Sequence, residues 1–195
     1  MATMAVRMAA ASHEEASAID TIVLAFSSDP VARWCWADPR LYLSAMPTFT
    51  RAFAGRAFVH QAAFCTDDFA GAALWIPPGV DVDEEAVVDV LQRTAPDGVR
   101  ADLFAMFEQM GQYHPEGPHW YLPMIGVDPA RQGRGYGSAL LACSLALCDR
   151  DQVPAYLEST NPRNIPLYKR HGFEQVGTIQ VGNSPPVVPM VRQAR

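Results

Sequence analysis

Apolar and polar positions alternate along the chain with two different periods. Ile19, Ile22, Val23 and Phe26 recur at helical spacing, as do Leu41, Tyr42, Ala45 and Phe49. The first run opens at Ser12 with Glu15 three residues on, the pattern of a capping box. Pro30 and Pro39 punctuate this part, and Pro47 is expected to sit late in the second helix or to break it. Ala5 to Ala9 reads as a short strand. Ala57 to Phe64 and Ala70 to Ile76 read as two strands joined at Thr66-Asp67-Asp68. Two helices are expected next, Glu84 to Arg93 and Asp97 to Tyr113, with Pro96 between them as stop and start.

The last third reads differently. His119 to Val127 is mostly apolar and aromatic, as a buried strand should be. A glycine-rich turn follows, then an apolar helix to about Asp151, a strand from Pro154 to Ser159 and a short helix from Asn164 to His171. Gln175 to Val181 and Val187 to Arg192 are the final expected strands. Strand, helix, strand over 119–159 is a βαβ pattern, which places those two strands parallel. Pro123 lies inside the first of them. A proline cannot donate to a strand ladder, so it marks a bulge or an unpaired stretch.

The length of 195 residues suits one domain, 49% apolar and 18% charged composition suits a globular chain, and no 20–50-residue repeat is visible. No apolar run reaches the roughly 18 residues that span a bilayer. The start lacks a long apolar stretch and meets Glu14 and Glu15 early, so no secretory signal is read and a cytoplasmic location is expected. A net charge of −6 argues against nucleic-acid and membrane-surface partners and mildly favours a cationic ligand. Cys35, Cys65, Cys143 and Cys148 form no C-x-x-C pair and no zinc spacing, so no metal is expected. Cys143 and Cys148 read as small buried hydrophobes on the apolar helix.

The glycine-rich turn carries the clearest chemistry. Gly133, Gly135 and Gly137 alternate directly after a strand and open a helix. Such a turn lets the backbone curl tightly, and the first helical N–H groups have no partner within the helix. They carry a fractional positive charge that suits a phosphate. Arg131 and Arg134 add two cations, and residues 128–172 hold six Lys/Arg against four Asp/Glu. No Lys follows the glycines, as a P-loop requires. The third glycine is misplaced for a dinucleotide fold.

Gln132-x-x-Gly135-x-Gly137 resembles the acyl-CoA pyrophosphate loop of the GNAT superfamily of N-acetyltransferases. The run from Glu158 to Phe173, ending Asn164-x-x-x-Tyr168-x-x-x-Gly172-Phe173, is similar to the second cofactor motif of that superfamily. The last 75 or so residues resemble puromycin N-acetyltransferase-like members, through the Gln-Gly-basic-Gly-x-Gly-Ser, Val-Pro-Ala-aromatic-Leu-Glu and Pro-Arg-Asn segments.

The resemblance implies a GNAT-like α/β fold, in which a mixed β-sheet flanked by helices splays open after the His119–Val127 strand. It implies one domain over 1–195, with an acceptor-side half (1–118) and a cofactor-binding half (119–195). Acetyl-CoA would be the cosubstrate. The pantetheine arm would lie along Ile125, Gly126 and Val127. The pyrophosphate would be held by Arg131, Gln132, Gly133, Arg134, Gly135, Tyr136, Gly137 and Ser138, with Asn164 and Tyr168 nearby.

The implied reaction is attack of a small-molecule primary amine on a thioester. Only one alkylamine in a few thousand is neutral at pH 7, so the site should offer a base. Tyr168 matches the family position for the acid that protonates the leaving thiolate. Glu158 is the expected base, directly or through a water, with His114 and His119 as alternatives. A protein or peptide amine and a silent acyl-CoA-binding domain are the competing readings, and a homodimer is left open.

Overall fold

The computed structural model describes residues 5–9 and 12–195. The elements in chain order are β1 (Val6–Met8), α1 (Ser12–Ala25), α2 (Pro30–Cys35), α3 (Pro39–Ala54), α4 (Arg56–Val59), β2 (Ala63–Thr66), β3 (Gly71–Ile76), α5 (Glu84–Thr94) and α6 (Asp97–Tyr113). The remainder are β4 (Trp120–Val127), α7 (Tyr136–Asp151), β5 (Ala155–Ser159), α8 (Ile165–Arg170), β6 (Glu174–Gln175) and β7 (Val188–Arg192). Among the described residues the strands form one sheet in the order β1-β2-β3-β4-β5-β7-β6. Only β4 and β5 run parallel, as their helical crossover requires.

Period-two alternation sorts the strand side chains onto two cores. Leu74, Tyr121 and Tyr156 pack with α1, α3 and the helices around them. Trp75, Leu122 and Leu157 pack against α7 and α8 on the other face. Both faces of the sheet centre are thus covered, and β3 is buried along its whole length.

Three expectations are corrected. Ala57 to Phe64 is not one strand: it holds the short helix α4, a reversal with Gln61 at φ 54°, and only then β2. Pro47 does not end α3, which continues to Ala54 and buries Phe49 and Phe53 beyond it. The strand from Gln175 to Val181 shrinks to β6 and an isolated bridge at Ile179. A Cβ at Gly177 would lie 2.3 Å from the Tyr113 ring, so the chain passes too close to α6 there to stay in a ladder. The capping box at Ser12 depends on a side chain outside the described residues, while Glu15 pairs with Arg51 at 3.4 Å.

The feature that positions the site is a gap in the sheet. β4 and β5 pair only at Trp120↔Ala155 and Tyr121↔Tyr156 and then diverge. On its other side, β4 pairs Tyr121 with Ile76 and Met124 with Leu74, three residues advancing against two. That bulge contains Pro123. It reverses the strand's parity, so that Tyr121 and Met124 share the same core.

Candidate active site

The far end of β4 forms one wall of the gap. Asp128 donates to Ala70 O at 2.8 Å, and Gly126 and Met124 pair in the same ladder. Alternation then turns the N–H and C=O groups of Ile125 and Val127 away from β3, into the gap. Val127 O meets the Gln132 side chain, whose Nε2 donates to it at 3.1 Å. Gly126 has a different role. Its backbone groups face β3, and a Cβ there would lie 2.6 Å from that of Ala25, so glycine lets α1 lie close across the sheet.

The glycine turn forms the second wall. Gly135 is the residue before α7 and sits at φ 92°, a left-handed conformation that costs other residues energy. Gly133 also has positive φ, and a Cβ at either position would meet nothing within 4 Å. No side chain caps α7. The N–H groups of Tyr136, Gly137 and Ser138 are therefore left to an external acceptor. Arg131 and Arg134 are exposed beside them and form no ion pair among the described residues. The expected cradle residues are thus brought together in a form that fits a pyrophosphate. Tyr136 is turned away from the turn, its hydroxyl donating to Asp68 at 3.2 Å. Ser138 Oγ lies 2.7 Å from His171 Nε2, a contact with no local sequence signal.

Asn164 is exposed at the start of α8, and Tyr168 is buried one turn further along the same face. The Tyr168 hydroxyl makes no hydrogen bond among the described residues. Burial pushes its phenol well above the usual range, with the Asp29 carboxylate adding to the effect. It therefore holds its proton at any physiological pH.

Glu158 lies on β5 with only 3% of its side chain exposed. Its Oε1 is buried without a hydrogen bond among the described residues and stands 3.5 Å from His114 Nε2. His114 sits among three rings, with centroids 4.3 Å from Tyr156, 4.7 Å from Tyr121 and 5.2 Å from His119. Burial, and then the adjacent Glu158 carboxylate, raise both tyrosine phenols. The Tyr156 hydroxyl is also buried without a partner. Period two could have flagged it, since it precedes Glu158 by two on one strand.

Glu158 opens onto a cavity of about 70 Å³ beside Pro123 and Met124, walled by Trp36, Phe49, Phe53 and Met106. Roughly 10–15 Å³ holds one water by this measure, so the cavity takes a handful of heavy atoms. A second acid lines it. Asp29 Oδ1 accepts from Val31 N and Ala32 N at the start of α2, and Oδ2 accepts from Thr160 Oγ1 at 2.6 Å. This clasp ties the α1–α2 loop to the segment after β5. Burial raises the Asp29 carboxyl against those hydrogen bonds. Sequence reading missed Asp29, because its partner is 131 residues away.

A larger cavity of about 740 Å³ lies on the far side of Phe53, Leu91, Phe107 and Met110, and is also lined by His114, His119 and Tyr121. Cys143 corrects another expectation, since it is exposed on α7. Cys148 is buried, and burial pushes its thiol up to about 12, so neither geometry nor acidity makes it a nucleophile. Among the described residues, no group of His, Cys, Asp and Glu is placed to hold a metal ion, and no helix is long and apolar enough to cross a membrane.

A family model described as "Acetyltransferase (GNAT) family" matches residues 28–173. An N-acetyltransferase of Schizosaccharomyces pombe, described as uncharacterized, is 29% identical over 136 residues, 63% of this chain and 55% of that protein. Mycothiol acetyltransferase of Kineococcus radiotolerans is 35% identical over 100 residues, 49% of this chain and 30% of the relative. The chain thus matches about half or less of the length of these relatives. Among solved structures, one from Corynebacterium glutamicum, titled histone acetyltransferase HPA2 and related acetyltransferase, has a TM-score of 0.69 at 24% identity, covering 98% of this chain and 97% of that one. Arylalkylamine N-acetyltransferase 2 of Aedes aegypti has a TM-score of 0.67 at 13% identity, covering 99% and 100%. These likenesses are in fold, and with the family match over most of the chain, they agree with the gapped sheet and its glycine cradle: the chain belongs to the GNAT family of acetyltransferases.

Proposed function

We propose that the protein moves an acetyl group from acetyl-CoA to the primary amine of a small, largely apolar molecule, in a direct transfer with both substrates bound. The observation that carries this reading is the buried Glu158 carboxylate, which lines a small apolar cavity beside Pro123 and Met124. The cradle, the two cations and the inward-turned groups of Ile125 and Val127 support acetyl-CoA as the donor. Its contribution is an acyl group activated as a thioester.

The chain's own residues have separable tasks. Residues 133–138 and the two arginines bind and orient the donor. Glu158 takes the proton that the acceptor's ammonium must lose. Asp29 gives the same cavity a second acidic group, which favours a cationic head. The aromatic walls exclude water and select an apolar body. Tyr168 supplies the proton that the departing thiolate needs. From an unperturbed phenol this transfer is uphill by about 2 kcal/mol, and the raised Tyr168 phenol makes it steeper until the bound donor changes its surroundings. The small volume and apolar walls of the cavity favour a small acceptor over a protein amine, for which an extended acidic groove would be needed. Relatives in fold named for arylalkylamine and agmatine acetylation fit the same reading. The four free thiols suit a reducing compartment.

Thermal unfolding with acetyl-CoA, CoA and ATP, each near 1 mM, tests the donor. A ligand at 100 times its Kd adds about 2.7 kcal/mol, a shift of several degrees at this size. Both CoA species should shift the midpoint and ATP should not. No CoA shift would remove the donor from the reading. A panel of small amines, followed by thiol release, then tests the acceptor. In that assay Tyr168→Phe should lower kcat by about 10²-fold with an unchanged CoA shift. Near-full activity would reject its role as acid.

A further inference from the structure

A line of polar contacts leads away from Glu158 through His114 and His119. His119 Nδ1 lies 2.9 Å from Gly117 O, and a carbonyl can only accept, so this nitrogen carries the hydrogen. A neutral His119 then offers a lone pair at Nε2. That atom is 3.0 Å from His114 Nδ1, which must therefore be the donor. His114 Nε2 is left facing Glu158 Oε1 at 3.5 Å. With His114 neutral and Glu158 ionised, two lone pairs would face each other there. One proton placed between them removes the repulsion, whichever atom it rests on.

We propose that Glu158 and His114 act as one base, and that the proton taken from the acceptor's amine travels through His114 and His119 to the water of the 740 Å³ cavity. This rests on the acetyltransferase reading above. An N–H bond of the acceptor's ammonium breaks, its electron pair stays on nitrogen to give the neutral amine, and an O–H bond forms on Glu158. That proton moves to His114 Nε2 as His114 Nδ1–H passes its own to His119 Nε2. His119 Nδ1–H then goes to water, and the amine nitrogen is free to attack.

The surroundings suit this route. His114 is wedged between the Tyr121 and Tyr156 rings, whose faces favour a cation. Both phenols stay neutral. The charged groups on the far cavity wall and its rim are Glu108 on α6, Glu84 on α5 and Asp81 before it. All are carboxylates, which draw a proton outward. Burial lowers His119, so it releases a proton readily. In the relay His119 acts through His114 and is a positioning residue.

The wiring can be read without a substrate, from histidine ring ¹⁵N shifts during a pH titration of the full chain. His119 should be the Nδ1–H tautomer. In Glu158→Gln the His114 Nε2 shift at fixed pH should change, because that nitrogen loses the carboxylate it faces. A His119 Nε2–H tautomer, or a His114 Nε2 shift unmoved by Glu158→Gln, would overturn the proposal. With an amine from the panel, His114→Gln and His119→Gln should each lower kcat about 10-fold and shift the acidic limb of the pH profile, with an unchanged CoA shift. Full activity with an unshifted limb in both variants would sink the relay alone, leaving the acetyltransferase reading intact if Glu158→Gln is inactive. If neither variant folds, the proton inventory of the wild-type protein decides. A curved dependence on deuterium content means several protons move together, and a linear one rejects the chain. An amine panel with no turnover would defeat the underlying reading, whatever the ring titration shows.

Discussion

Glu158→Gln should lower kcat/KM by about 10²- to 10⁴-fold, the range that a positioned general base supplies. The amide matches the carboxylate in shape, so the packing of β5 against β7 is unchanged. It cannot take a proton at any working pH. The ammonium of the acceptor would then have to lose its proton before binding, and only a trace of the amine is neutral at pH 7. The loss should therefore shrink as pH rises toward the amine's own pKa, while the CoA-induced thermal shift stays as in the parent. A pH–rate profile with an unmoved acidic limb would remove Glu158 from the base role. Asp29→Asn is the informative control, since Asp29 lines the same cavity. If Asp29→Asn abolishes turnover and Glu158→Gln does not, the base belongs at Asp29.

The second large effect is on stability. Asp149→Ala should cost about 3 kcal/mol and lower the midpoint by roughly 6–12 °C. Arg192 is 5% exposed and donates to both Asp149 oxygens at 2.8 and 2.9 Å and to His171 O at 3.0 Å. One guanidinium thus joins the end of α7, the end of α8 and β7. Removing the carboxylate leaves a buried cation with half its partners. Asp149 is 31% exposed, so water offsets part of the loss, which favours the lower end of the usual range. Replacing both residues, as Asp149→Ala with Arg192→Met, should recover part of the stability. A drop below 2 °C for the single variant would show that the pair contributes little. The pH dependence follows from the same contact. Arg192, with the Arg195 N–H, holds the folded Asp149 carboxyl below its unfolded value near 3.9. Its contribution is complete above that value and is lost as pH falls through the folded one.

The strand, glycine turn and helix start of the proposed cofactor wall were readable because they are adjacent in sequence. Pro123 announced the bulge for a reason confined to one residue, its missing N–H. The strand expected over residues 57–64 failed because Ala57, Phe58 and Val59 suit a helical turn as well as a strand, and the helix before them settled it. Pro47 was outweighed by the apolar residues that α3 buries after it. The acceptor side was the least legible. The Asp29–Thr160 clasp, and the ring of Tyr121, Tyr156, His114 and His119 around Glu158, join segments that only the folded sheet brings together. Cys143 was misplaced because α7 is apolar on more of its circumference than it buries.

The gap in the sheet also has a cost during synthesis. An unpaired strand edge is a template for any extended chain that meets it. On the side away from β3, β4 reaches its partner β5 only after the residues of α7 have emerged. Until then the apolar run from Trp120 to Val127 presents its whole edge on a nascent chain. In the finished protein, part of that edge stays unpaired with β5 but lies between helices on both faces of the sheet. The ligand slot is thus a hazard of assembly that folding encloses and leaves available to a slender guest.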